Sequence, residues 1–163
     1  MHSQAHHPLL LLGAALATFA APAIARDSIG VFESWGAFRD SGPQRCFALS
    51  EPVRRDSGAF ASISSWPDSG VRNQFHARLS RPLARAARPS VSIGDRRFAL
   101  IGRGNAVWAA DARADAALVA AMRSARSMSV EGVDRGGRPF ADTYALRGAA
   151  TAIDAATLGC ARR

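Results

Sequence analysis

The chain has 163 residues, 48% of them hydrophobic, with 21 basic against 13 acidic side chains and a formal net charge of +8. That length suits one domain, and the apolar content excludes a disordered chain. Every basic residue is Arg and none is Lys, which rules out a phosphate-binding loop ending in Gly-Lys.

Residues 9–21 form an apolar run that contains Leu9-Leu10-Leu11-Leu12 and leads into Ala21-Pro22-Ala23-Ile24-Ala25. Ala23 and Ala25 fit the small-residue positions ahead of a signal-peptidase cut, so residues 1–25 are expected to be a signal peptide and 26–163 a single exported domain. The rival reading, an uncleaved anchor, needs about 20 apolar residues, more than the run supplies. Beyond residue 25 no apolar stretch reaches that length, which excludes a polytopic membrane protein. Export gives the two cysteines of the domain, Cys46 and Cys160, an oxidising compartment, where one structural disulfide is the simplest outcome. The alternative of a redox-active or nucleophilic thiol lacks a Cys-x-x-Cys spacing.

Short apolar segments separated by Gly, Pro, Asp and Ser predict strands at 28–32, 44–49, 60–64, 74–79, 90–93, 97–101, 106–108, 128–133 and 140–146. Gly94-Asp95 provides the two-residue turn of one hairpin, and Asp134-Arg135-Gly136-Gly137-Arg138-Pro139 connects another. Between these hairpins, residues 111–123 predict a helix capped by Asp111, with Leu118 and Met122 on one face. Residues 148–160 place Ala149, Ile153, Ala156 and Cys160 on one helical stripe, which points the thiol at the core. The stretch 80–89, with three Arg and two Pro, predicts a surface loop. The expected core is Phe32, Trp35, Phe47, Phe60, Phe75, Leu79, Val91, Ile93, Phe98, Leu100, Trp108, Leu118, Met122, Tyr144, Leu146 and Ile153.

Chemistry is sparsely signalled. His76, the one His beyond residue 25, shares a strand face with Gln74 and Arg78 and is expected on the polar side. A Cys/His nucleophile needs a free thiol, and a zinc site needs more ligands than one His. No Gly-x-Ser-x-Gly elbow is present, and Gly102-Arg103-Gly104-Asn105 lacks the third Gly and following helix of a nucleotide loop, so it reads as a turn. Asp142, between Phe140 and Tyr144, is the most unusual carboxylate and suits a turn cap or an Arg partner. No catalytic, metal or cofactor-binding residue is therefore assigned.

The Arg residues cluster at Arg54-Arg55, at Arg78, Arg81, Arg85 and Arg88, at Arg96-Arg97 and at Arg162-Arg163. Guanidinium groups suit phosphate and carboxylate, so Arg78, Arg81, Arg85, Arg88, Arg96 and Arg97 are candidate anion-binding residues. For an exported chain the accessible anions are envelope lipid and polysaccharide phosphates, or an envelope protein, and not nucleic acid. The competing interpretation is a solvated surface with an Arg-biased composition.

Taken together, Trp35-Gly36-Ala37-Phe38, Arg45-Cys46, Phe98-Ala99-Leu100, Ala106-Val107-Trp108, the 114–122 helix, Asp142-Thr143-Tyr144-Ala145-Leu146-Arg147-Gly148 and the closing helix with Ile153 and Cys160 resemble the invasion-associated locus B family of exported bacterial proteins. The resemblance implies an immunoglobulin-like β-sandwich, a periplasmic or outer-membrane location in a Gram-negative bacterium, and no established catalytic residues. The expectation is a mainly β domain with one or two short helices and one disulfide, acting as a non-enzymatic envelope binding or accessory protein. The alternatives are a small periplasmic hydrolase or enzyme inhibitor, and a purely structural envelope protein.

Overall fold

Alternating apolar residues and turn-forming Gly, Asp and Pro build a mainly β structure. The computed structural model describes residues 26–55 and 58–161; the expected signal segment and Arg162-Arg163 lie outside the described residues. Its strands are β1 (Arg26–Phe32), β2 (Trp35–Ser41), β3 (Gln44–Ser50), β4 (Phe60–Trp66), β5 (Val71–Arg78), β6 (Ser90–Ile93), β7 (Arg96–Ala99), β8 (Ile101–Arg103), β9 (Ala106–Trp108), β10 (Ser127–Val133) and β11 (Pro139–Ala145). Helix α1 (Ala112–Met122) precedes β10, and α2 (Ala149–Ala161) closes the fold. A seven-stranded antiparallel sheet runs β1-β2-β3-β4-β5-β9-β8, and a four-stranded one runs β11-β10-β6-β7. Both sheets and both helices contribute to one core, which gives a sandwich-like layout.

Most expected strands are present, and Gly94-Asp95 does connect β6 to β7. Two differences stand out. Trp35–Ser41 is a strand between β1 and β3, although Gly36, Ala37 and Asp40 are poor strand formers; pairing on both edges and the buried Trp35 override local propensity. The expected strand at 97–101 is two strands in different sheets. The chain turns at the buried Leu100, whose N–H donates to the Pro89 carbonyl at 3.0 Å; β7 pairs with β6 and β8 with β9.

Helix α1 starts where Asp111 accepts a hydrogen bond from the Ala114 N–H at 2.8 Å. Its Asp115 is buried, and Oδ1 accepts the Phe75 N–H of β5 at 2.8 Å. Burial raises the Asp115 pKa, the Phe75 N–H opposes that, and the Asp111 charge adds to it. Helix α2 presents Ala149, Ala152, Ile153, Ala156 and Cys160 to the core, and small side chains let it sit close to β2 and β3. The Cys46–Cys160 disulfide fixes the end of α2 to β3 across a sequence separation of 114. Arg123, just after α1, ties it to Asp154 of α2 at 2.6 Å. Gly148 enters α2 at φ +84°, where a Cβ would overlap the Phe32 carbonyl, so only Gly fits.

Not every expected core residue faces inward. On the seven-stranded sheet Cys46 and Ala48 face the core, so Phe47 faces the opposite side, stacked on Phe38 at 5.4 Å and covered by the Arg45 guanidinium at 4.1 Å. Phe60 and Trp108 lie half-buried on that same outer face, with His76 between them at ring distances of 5.6 and 5.4 Å. His76 thus lies on the expected face, opposite the buried Phe75 and Ala77, but aromatic rings flank it there. Burial, and then the Arg45 charge, lower its pKa below the ordinary value.

Candidate anion-binding end

The loop 80–89 is held against two hairpin turns by its backbone. Leu79 N–H donates to Asn105 O and Leu83 N–H to Gly104 O, each at 2.7 Å, in the β8–β9 turn; Ala84 N–H donates to Val133 O at 2.9 Å, at the end of β10. Leu83 is buried between these elements; a Cβ on Gly102 or Gly132 would come within 2.6 Å of its methyl groups. With Leu83 inward, the Arg side chains of the loop point to solvent.

Asp134 organises the same end. Its Oδ1 accepts the Gly136 and Arg138 N–H groups at 2.9 and 3.0 Å, and its Oδ2 lies 3.3 Å from both the Arg81 and Arg138 guanidinium groups. The Arg138 N–H, chiefly, with the Gly136 N–H and the two cations, holds the Asp134 pKa below the usual carboxylate value, despite desolvation. A depressed acid pKa stabilises the folded state above about pH 4 and loses that effect as pH falls through the folded value. Asp134→Ala is therefore expected to speed hydrogen exchange at Ala84, Gly136 and Arg138 while Met128 and Val130 in β10 stay protected. Wild-type protein should show the same selective loosening on acidification below about pH 4. Uniform change across the domain would contradict this role.

Around this anchor, Arg85, Arg103 and Arg135 line a shared recess of about 550 Å³. Arg88 and Arg97 line a neighbouring recess of about 500 Å³. Arg97 is paired there with Glu131 and Ser90. Among the described residues Arg85, Arg88, Arg103 and Arg135 make no ion pair. Comparison with family models, with curated proteins and with solved structures returns no match. The geometry of this end is therefore what bears on function.

Of the candidate anion-binding residues, Arg81, Arg85, Arg88 and Arg97 are brought to this end. Arg96 is not; it stacks over Phe98 at 4.8 Å, and it lines a small recess beside α1. Arg78 lies on the outer face of the large sheet at the margin of this end, level with Ala106 and, across β9, with Arg103, one residue before the Leu79 bond to the β8–β9 turn. Sequence reading missed Arg103, Arg135 and Arg138. The last two stand in the Gly-rich turn that predicts the β10–β11 hairpin, but only tertiary pairing sets them beside Arg81 and Arg85.

A third cleft, of about 720 Å³, opens between residues 52–54, residues 80–81 and β11. Asp142, buried at its floor, accepts the Ser80 N–H at 2.8 Å, the capping role its position suggested. Tyr144 is fully buried and its hydroxyl has no hydrogen-bond partner among the described residues; burial and the Asp142 charge raise its pKa above 10. Both cysteines are bonded to each other, so no thiol is available. Among the described residues no three His, Cys, Asp or Glu side chains gather to hold a metal ion, and no helix is long and apolar enough to cross a membrane.

Proposed function

We propose that this protein is an exported, non-enzymatic binding or accessory protein of the bacterial envelope, resembling the invasion-associated locus B proteins, that docks its Arg-rich end on phosphate groups. The observation that carries the reading is the group Arg85, Arg88, Arg103 and Arg135, four exposed guanidinium groups without an acid partner among the described residues, converging from three chain segments. Elsewhere among the described residues Arg side chains are paired about as often as not, as in Arg26–Asp40, Arg39–Asp27 and Arg147–Glu33, so what sets this end apart is the gathering of unpaired ones. Unpaired guanidinium groups need no competing acid to be displaced before they take a phosphate oxygen. The apolar run at residues 9–21 supports export, and an exported chain would meet lipid and polysaccharide phosphates.

Co-sedimentation with vesicles tests this. Phosphatidylglycerol vesicles are expected to retain the protein at low ionic strength and release it near 1 M salt, where the screening length falls to about 3 Å. Phosphatidylcholine vesicles should not retain it. Lipopolysaccharide in place of phosphatidylglycerol tells a polysaccharide source from a phospholipid one. Replacing Arg85, Arg88, Arg103 and Arg135 with Ala should abolish retention; salt-independent retention, or retention equal in that variant, overturns the proposal.

A further inference from the structure

The outer edge of β11 carries backbone groups that have no partner among the described residues. Thr143 turns its carbonyl outward to the Val53 N–H at 2.8 Å, and Ala145 turns its carbonyl outward to the Trp35 indole at 2.9 Å. Strand alternation then turns the Ala141 N–H and C=O outward as well, away from β10. Nothing among the described residues pairs them, and Ala141 is exposed. The chain thus already hydrogen-bonds one residue, Val53, to this edge and then bends away from it.

The 720 Å³ cleft beside Ala141 continues along the same edge. Its walls are chemically mixed. Val53, 69% exposed, and the half-buried Phe140 offer apolar surface, while Arg54 and Arg81 offer positive charge. Arg54 makes no ion pair among the described residues, Arg81 shares Asp134 with Arg138, and the Asp142 carboxylate at the floor accepts the Ser80 N–H through Oδ2, so the cations at the rim outnumber its one negative charge. The other edges are less suited to an added strand. β1 is broken by a register shift between Ser28 and Gly30, β7 has four residues and β8 three.

We infer that β11 takes up an extended peptide segment bearing apolar and acidic side chains, which adds a strand at Ala141 and sets its carboxylates against Arg54 and Arg81. Main-chain hydrogen bonds supply the register, and the mixed walls select the sequence. This inference goes beyond the docking of phosphate groups, because it needs neither a membrane nor Arg85, Arg88, Arg103 and Arg135.

The probe is a capped octapeptide of alternating Val and Glu, titrated into the ¹⁵N-labelled protein. Binding should slow hydrogen exchange at the Ala141 amide and shift the resonances of Val53, Ala141 and Thr143. A peptide N-methylated at alternate residues on the ladder side should not bind, and a Val/Lys peptide should bind more weakly. Ala141→Pro removes one outward N–H that the fold itself does not use, and should weaken binding about threefold to tenfold. If that variant is misfolded, the N-methylated peptide decides alone. The variant lacking Arg85, Arg88, Arg103 and Arg135 should bind the peptide undiminished, so failure of phosphate docking leaves this result untouched. No binding, or binding that survives N-methylation, overturns the inference, the latter showing charge attraction only.

Discussion

Replacing Cys46 and Cys160 together with Ala is expected to lower the free energy of unfolding by about 4–5 kcal/mol, a large part of the 5–15 kcal/mol that holds a domain of this size. The bond closes nearly the whole described chain into a loop, with its Cys residues 114 positions apart, so its loss releases much denatured-state entropy. The folded state is also poorly placed to compensate. The buried stripe of α2 is mostly Ala, which removes little apolar surface from water, and Ile153 is its one large core side chain. In the double variant hydrogen exchange should accelerate first along α2 and then on β2 and β3, which it covers. Urea unfolding of oxidised and reduced protein measures the same difference; coincident midpoints would show that the bond contributes nothing.

The residue pattern made much of this fold legible where the signal is local. Turn residues at fixed offsets marked the β6–β7 and β10–β11 hairpins, and four-residue spacing marked both helices. The disulfide followed from the expectation of export and an even Cys count, and the stripe of α2 pointed Cys160 inward. What remained hidden depends on partners distant in sequence. The β2 segment reads as a poor strand until β1 and β3 flank it, and nothing local announces that Leu100 moves the chain from one sheet to the other. Phe60 and Trp108 are only half-buried, and Phe47 is fully buried but on the outer face, because that face covers aromatic rings with Arg45 and His76. The candidate site divides in the same way. Arg81, Arg85 and Arg88 are neighbours in sequence, whereas Arg103, Arg135 and Arg138 join them through the backbone bonds of Leu83 and Ala84.

Trp35 is where the two sheets are joined most directly, and its variants separate packing from hydrogen bonding. The side chain is fully buried at the start of β2, in the large sheet, and its indole N–H donates to the carbonyl of Ala145, the last residue of β11 in the small one. Trp35→Ala is expected to cost about 3–5 kcal/mol through the cavity and the lost contacts. Trp35→Phe keeps a ring in the site but leaves the Ala145 carbonyl without its donor, at a cost of about 1–3 kcal/mol. Thermal or urea unfolding of both variants gives the comparison. Equal losses would mean that the hydrogen bond, and not the filled volume, couples the sheets.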